Sequence, residues 1–446
     1  MGRRSHKQKL DIWMNGIPVG VWEKTQGSES LRYFESWIEN EQGRPLSLSL
    51  PFTPDNQIHK GAHVNTFFDN LLPDSEPIRR RLALRHRLAG TEPFTLLAEL
   101  GRDCVGALQL LPEGDEPENL FSITGIALKE AKIAQLLRNL VVTGLPSQKE
   151  HEGDLRLSIA GAQEKTALLY HEGQWLLPQG STPTSHILKL PMGLVGNMRA
   201  DMQTSVENEW LCSKIVAGYG LDVAHCDIGY FGDQKALVVQ RFDRKLANDG
   251  RWIVRLPQED FCQATGTPPL KKYQSDGGPG IAGIMETLHK SIRAEQDRRH
   301  FFKTQLVFWL LAATDGHAKN FSISHLPGGH FCSTPLYDIL SAYPIIGKGH
   351  FQLARQKVKL AMAVRGSTNY YLLDKILYKH WLEQARQVGF DPRLAEEMIE
   401  EIITNSAQVL TKVAAELPTN FPQGLAEIIF EGVRQQCAKL GAMRTA

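Results

Sequence analysis

The chain has 446 residues, enough for two or three domains and a sizeable core. A hydrophobic fraction of 42%, a charged fraction of 22% and a formal net charge of +1 describe an ordinary globular protein and exclude wholesale coating of nucleic acid. The six cysteines include no C-x-x-C pair; they read as buried thiols in a reducing compartment rather than as a disulfide frame or a zinc site.

No apolar run approaches the ~18 residues of a membrane span. The basic start MGRRSHKQKL runs straight into a strand pattern, which does not read as a signal peptide. The expected location is cytoplasmic, with no membrane partner.

Residues 10–24, LDIWMNGIPVGVWEK, alternate around Asn15-Gly16, the signature of a type I′ hairpin. RPLSLSLPF (44–52) alternates again and predicts a strand, and FFDNLLPDSEPIRRRLALRHRL (67–88) predicts helix. PFTLLAELGRDCVGALQLLP (93–112) completes a first domain, 1–115, with the acidic EGDEPEN as linker. The second domain, 116–255, is rich in strands. RLSIAGAQEKTALLYHEGQWLLP reads as strand, loop, strand, Glu-Gly turn, strand; SHILKL and ALVVQRFDR add further strands, and TSVENEWLCSKIVAGYGL is an amphipathic helix ending at a glycine. From 256 to 446 helices dominate, interrupted only by a hairpin at 321–338.

The chemistry concentrates in the third domain. Eight apolar residues, Leu306 to Ala313, stop at Thr314-Asp315-Gly316; Asn320 follows, and Asp338 comes after the hairpin. A strand-rich region followed by a helical one carrying Asp-x4-Asn is the frame of an ATP-dependent kinase. Phosphoryl transfer needs positioning and charge neutralisation more than covalent chemistry. Asp315, at a glycine-containing turn, is free to accept a proton from the attacking hydroxyl. Asn320 offers a neutral oxygen and Asp338 an anionic one, which suits Mg²⁺, a cation that needs only one or two protein ligands beside phosphates. Against this, Asp-Gly is also a common turn, and His317, His325 and His330 allow a metal-dependent hydrolase, although no H-x-H or H-x-x-x-H pair fixes two imidazoles on one face.

The strand-rich domain supplies a second set of parts. SIAGAQEKTALL puts Gly161 between two strands, where backbone N–H groups can cap phosphates, though it lacks the second glycine of a Walker A loop. Lys165 either reaches a phosphate or is a solvated loop lysine. Lys189 interrupts the apolar strand His186–Leu190, where an unpartnered charge is expensive. Its natural partners are nucleotide phosphates and Glu207 or Glu209 on the next helix; the alternative is an edge-strand lysine facing water. ALVVQRF resembles a strand joining two lobes, whose backbone would pair with adenine.

Taken together, RPLSLSLP, FFDNLLPDS, ELGRDCVGAL, SIAGAQEKTALL, HILKLP, NEWLC, RFDR, LPQEDFCQ, SDGGPGI, WLLAATDGHAKNFS and LYDILSAYP resemble, in order, the HipA family of serine/threonine kinases, the toxin half of bacterial toxin–antitoxin pairs. The resemblance implies a two-lobed protein-kinase-like α+β fold, with a strand-rich N-lobe, a helical C-lobe and an extra N-terminal α/β subdomain. It implies Asp315 as catalytic base, with Asn320 and Asp338 holding Mg²⁺. ATP contacts would come from Ala160, Gly161, Ala162, Gln163, Glu164 and Lys165, from Lys189, and from the hinge Gln240, Arg241 and Phe242. His317, Ala318, Lys319 and Asn320, with Tyr337, Asp338, Ile339 and Leu340, would close the site. Ser158 matches the family's autophosphorylated serine; by its position alone it is equally a packed strand serine. The hinge begins with Gln240 where the family often has an acid.

The same resemblance implies a helix-turn-helix, HipB-like antitoxin that neutralises the kinase and carries operator binding, so that the pair represses its own operon. The implied substrate is an aminoacyl-tRNA synthetase, glutamyl foremost. Arg386 occupies one position of possible DNA contact, but a second is Gly389. Residues 371–446 hold eight Lys/Arg against ten Asp/Glu, no phosphate-attracting surface. The Arg79-Arg80-Arg81…Arg85…Arg87 cluster is a nucleic-acid patch, a solvated helix face or a docking site. The competing functions are a small-molecule kinase of the aminoglycoside-phosphotransferase type and a non-catalytic, nucleotide-binding corepressor.

Overall fold

The computed structural model describes residues 8–141, 161, 163–196 and 199–444. Two compact units emerge. One comprises Met1–Leu190, Gly229–Leu270 and Ser322–Phe331; the other comprises Pro191–Ile228, Lys271–Phe321 and Cys332–Ala446. The chain passes between the units repeatedly.

In the first unit, Asn15 and Gly16 both take positive φ, 47° and 81°. These are the values a type I′ turn demands, and they set Met14 opposite Ile17. The hairpin belongs to a five-stranded sheet ordered His59–Lys60, Glu29–Tyr33, Ile17–Lys24, Gln8–Met14, Leu108–Pro112. Its buried face (Leu10, Ile12, Met14, Trp22) packs on Phe67 and Phe68 of the helix Ala62–Asp69, and Trp22 stacks on Phe68 with ring centroids 3.8 Å apart. The helix expected across 67–88 is two helices, Ala62–Asp69 and Glu76–Arg85. Pro73 lies between them; it has no N–H to continue the ladder.

The alternating stretch 44–52 forms no strand; it contributes one isolated bridge, Ser47 to Leu50. Its polar groups turn instead to the buried carboxylate of Glu259. Ser47 donates its hydroxyl to that carboxylate, and Leu48 donates its N–H at 2.8 Å. His325 meets the same carboxylate at 2.8 Å. The period-two alternation does not carry into burial, since Leu46, Ser47 and Leu50 are all buried; the stretch is held by a charged anchor, not by a ladder.

A six-stranded sheet follows, ordered Cys226–Phe231, Gln234–Gln240, His186–Lys189, Lys165–His171, Gln174–Pro178, Gly125–Ala127. Glu172 and Gly173, with φ of 48° and 78°, make the expected turn. Ile133, Ala134 and Leu137 of the helix Glu130–Val141 pack on Leu168, Leu188 and Ala236 of this sheet.

The second unit is mainly helical: Ser205–Gly218, Ile281–Leu288, Ala294–Leu311, Tyr378–Gln387, Pro392–Ala415 and Gln423–Arg444. Leu306 to Ala313 are all buried, as a segment apolar on every side must be. A hairpin, Lys359–Arg365 with Asn369–Leu372, breaks the helical pattern expected after 338. Its first strand is buried over Leu360–Val364 and packs against the helices Ile281–Leu288 and Tyr378–Gln387. Packing overrides the helix propensity of Leu, Ala and Met. Among the described residues no helix is long and apolar enough to cross a membrane.

Candidate active site

The helix Ala294–Leu311 ends because Ala312 turns into the left-handed region, φ 49°. The chain then exposes Asp315 on a turn closed by the His317 N–H donating to the Asp315 carbonyl at 2.8 Å. Ala318–Asn320 form a buried single turn. The Asn320 side chain is fixed at both ends: its Oδ1 accepts from the His317 N–H at 3.1 Å, and its Nδ2 donates to Asp338 Oδ2 at 3.3 Å. Tyr337 donates its hydroxyl to the Lys319 carbonyl at 2.9 Å. The structure therefore brings His317, Ala318, Lys319 and Asn320 together with Tyr337 and Asp338, while Ile339 is buried behind them.

Asp338 sits at φ 62°, a left-handed conformation that aspartate tolerates and most side chains avoid. The backbone after it is over-determined. Ser341 donates its N–H to Asn208 Oδ1 at 2.9 Å and accepts no less firmly through its carbonyl from Asn208 Nδ2 at 2.8 Å, while its hydroxyl donates to the Leu311 carbonyl at 2.6 Å. Asn208, in the NEWLC block, was overshadowed in the sequence by Glu207 and Glu209, both of which are buried in the same helix.

The first unit carries the other group. Lys165 and Lys189 are direct cross-strand partners, so both ammonium groups leave the same face of the sheet; Lys189 is only 6% exposed. Like charges in such a pair repel. Gly161 has φ 115°, a backbone conformation that favours glycine, and the tip of the Lys165 side chain lies where a Cβ would be. Ser158, Ala160 and Ala162 lie outside the described residues.

Several expected nucleotide contacts have side chains committed elsewhere. Gln163 donates its amide to the Leu190 carbonyl, and Glu164 pairs with Arg81. Arg241 is buried: it grips Asp243 through two nitrogens at 2.9 and 2.8 Å and Thr184 at 2.9 Å, and its backbone N–H donates to Ser185 at 2.9 Å. Gln240 is exposed at the strand end and Phe242 half-buried. Arg241, Arg244 and Arg255 surround Asp103 and Asp243. Burial pushes the Asp103 carboxyl upward, but Arg244, Arg241 and Arg255 outweigh it and hold the group well below the usual range. Burial pushes the neighbouring Cys104 thiol up to about 12, an inert structural cysteine.

The arginine cluster of the helix Glu76–Arg85 is spent locally. Arg79 pairs with Asp69 at 2.6 Å, Arg80 with Glu76 at 3.0 Å and Arg81 with Glu164, and Arg85 donates to the Asn139 carbonyl at 2.8 Å. That leaves little field for nucleic acid. Arg386 is exposed and pairs with Glu383 of its own helix at 3.1 Å. The three histidines of the hydrolase alternative do not converge: His325 serves Glu259, and among the described residues no three His, Cys, Asp or Glu side chains are grouped to hold a metal.

Residues 157–410 match the HipA-like C-terminal domain and residues 10–111 the HipA N-terminal domain. The chain belongs to the HipA family. This HipA-family chain is 33% identical over 414 residues, 91% of each chain, to "Putative kinase Y4mE" of Sinorhizobium fredii. It is 26% identical over 348 residues, 74% of this chain and 75% of the other, to "Serine/threonine-protein kinase toxin HipA" of Shewanella oneidensis. Its fold matches the solved Shewanella oneidensis HipA, from a complex with HipB and operator DNA, with a TM-score of 0.79 at 22% identity, covering 98% of this chain and 99% of that one. Its class is that of the serine/threonine protein kinases, in a two-lobed, kinase-like α+β fold.

Proposed function

We infer that this HipA-family chain transfers the γ-phosphoryl group of ATP to a serine hydroxyl of a protein, as the toxin of a toxin–antitoxin pair. The observation that carries this reading is the linked set Asp315, Asn320 and Asp338. An exposed carboxylate stands on a turn, and the Asn320 side chain is hydrogen-bonded to the Asp338 carboxylate through its amide nitrogen. Asp315 accepts the proton of the attacking hydroxyl as that oxygen bonds to the γ-phosphorus and the bond from that phosphorus to the bridging oxygen breaks, releasing ADP. Asp338, and Asn320 once its amide turns Oδ1 toward Asp338, would supply the hard oxygens that suit Mg²⁺; when bound with ATP, Mg²⁺ would neutralise phosphate charge there. Lys165 and Lys189 hold the nucleotide's phosphates. At the hinge 240–242 adenine would be read by backbone at Gln240 and Phe242, while Arg241, whose N–H and carbonyl bond Ser185 and Arg244, keeps the fold.

The acceptor we assign is an aminoacyl-tRNA synthetase, glutamyl foremost, whose modification stops charging and growth. Self-phosphorylation on Ser158 would place about −1.5 to −2 charge beside a loop built to hold phosphates and switch the kinase off. The solved relative was crystallised with HipB and operator DNA, which supports a HipB-like antitoxin as this chain's partner. Because Arg386 is already paired within its helix, operator contact falls mainly to that antitoxin.

The test is to incubate the purified chain with γ-labelled ATP, Mg²⁺ and a panel of aminoacyl-tRNA synthetases. We expect label on glutamyl-tRNA synthetase, reduced about 10²–10⁴-fold in Asp315→Ala. Label carried to an aminoglycoside instead, or ATP bound without transfer to any acceptor, overturns the reading in favour of a small-molecule kinase or a corepressor. Mass spectrometry of the same reaction reports whether Ser158 is modified.

A further inference from the structure

The segment that leads into the SDGGPGI block (275–281) has no chemical role in the account above, yet its Tyr273 lies against Asp315. Tyr273 donates its hydroxyl to Asp315 Oδ1. Its ring meets His317 edge-to-face, centroids 5.0 Å apart at 87°, and His317 Nε2 is 3.9 Å from the same carboxylate oxygen, too far for a hydrogen bond. The tyrosine is therefore the group that holds this oxygen.

Tyr273 is itself anchored on both sides. The Ala318 N–H donates to the Lys272 carbonyl at 3.3 Å, tying the segment to the turn that carries Asn320. On the other side, Gln274 accepts the Ala363 N–H at 2.8 Å. The glycines make this possible. Gly277 takes φ 94°; the Gly278 N–H donates back to the Tyr273 carbonyl at 3.0 Å. Any side chain at Gly278 or Gly280 would strike the backbone around Lys272 or the Gln274 amide.

We propose that Tyr273 is the positioning residue of the phosphotransfer, fixing the Asp315 carboxylate so that its second oxygen faces the acceptor hydroxyl. The proposal rests on Asp315 being the base. The Asp315 side chain is 60% exposed, and an exposed carboxylate on a turn samples several rotamers. One strong hydrogen bond from an anchored phenol selects among them, and loss of that orientation lowers rate rather than nucleotide affinity. Tyr273→Phe keeps the ring against His317 and removes only the donor.

The experiment uses the full chain and whichever acceptor wild type labels fastest in the panel above. It compares wild type, Tyr273→Phe, Asp315→Ala and the double variant. We expect Tyr273→Phe to lower kcat about ten- to a hundred-fold, the usual worth of a hydrogen bond to a charged group, with KM for ATP and melting temperature unchanged. In the Asp315→Ala background the same substitution should cost nothing further, since the group it orients is gone. Wild-type kcat in Tyr273→Phe, or an equal loss in both backgrounds, overturns the positioning role while leaving Asp315 as base. Full activity of Asp315→Ala overturns both.

Discussion

Asn320 Nδ2 lies 3.3 Å from Asp338 Oδ2, joining the turn after the buried helix to a left-handed residue beyond the hairpin. Because the Asn320 amide also receives the His317 N–H at 3.1 Å, its orientation is fixed before any ligand arrives. In that orientation the amide nitrogen faces Asp338 and Oδ1 faces the His317 N–H, so Asp338 offers its oxygen directly and Asn320 would offer Oδ1 only after its amide turns. Asp338 brings the negative charge and Asn320 only a dipole, so their removal should differ. At ATP·Mg²⁺ a hundredfold above Kd, wild type gains about 2.7 kcal/mol of stability by linkage, read as a rise in melting temperature. Asp338→Ala should lose that rise entirely, and Asn320→Ala should lose part of it. A full rise in Asp338→Ala, or an equal wild-type rise with ATP and a chelator, would remove Asp338 from the metal's ligands.

The cross-strand pairing of Lys165 and Lys189 sets up a second expectation. Charge-assisted contacts to phosphate are worth roughly 1.5–3 kcal/mol each, so Lys165→Ala and Lys189→Ala should each weaken ATP about ten- to a hundred-fold. Adenosine has no phosphates and should bind all three proteins alike. Titration calorimetry with both ligands checks this; an unchanged ATP dissociation constant in either variant returns that lysine to a structural role.

These residues were unevenly visible in the sequence. Asp315, Asn320 and Asp338 stood out because an apolar helix ending in Asp-Gly is a local signal. The pairing of Lys165 with Lys189 is a matter of strand register, which neither lysine's own neighbours reveal. Tyr273 and Asn208 were hidden for the same reason: Tyr273 meets Asp315 across 42 residues and Asn208 meets Ser341 across 133. The alternation at 44–52 misled because Glu259, 211 residues beyond Leu48, supplies the acceptor that a neighbouring strand would have given. The hairpin at 359–372 was missed because its first strand is made of residues that also favour helices.

Asp103 predicts how the first unit responds to acid. Its carboxyl, like that of Asp243, is held below the ordinary range in the fold: burial opposes this, but the arginines around it prevail. A depressed folded pKa means the stabilisation is complete above the unfolded carboxylate value of about 4 and is lost as pH falls toward the folded values. Wild type should therefore lose stability steeply below pH ~4. Asp103→Asn should already be about 3–5 kcal/mol less stable at pH 7, because it leaves buried arginines uncompensated, and its acid limb should be shallower. Urea unfolding at neutral and acid pH reads both effects; parallel pH profiles for the two proteins would place the acid sensitivity elsewhere.

The three arginines around these aspartates are not equivalent. Arg241 and Arg244 hydrogen-bond Asp243, Asp103 and backbone carbonyls. Arg255, fully buried, approaches Asp103 only to 3.5 Å, and its three guanidinium nitrogens have no hydrogen-bond partner among the described residues. Burial pulls its pKa down to about 10, which marks a cation the fold holds at a cost. Three arginines against two aspartates leave one positive charge in excess, and Arg255 is the one whose loss balances the cluster. Replacing a buried charge by an apolar side chain of similar volume is often neutral or stabilising, whereas breaking a well-bonded pair costs ~3–5 kcal/mol. Arg255→Met should therefore match or exceed wild-type stability in urea, and Arg241→Met should fall by about 3–5 kcal/mol. If Arg255→Met is the more damaging of the two, Arg255 rather than Arg241 is the keystone of the cluster.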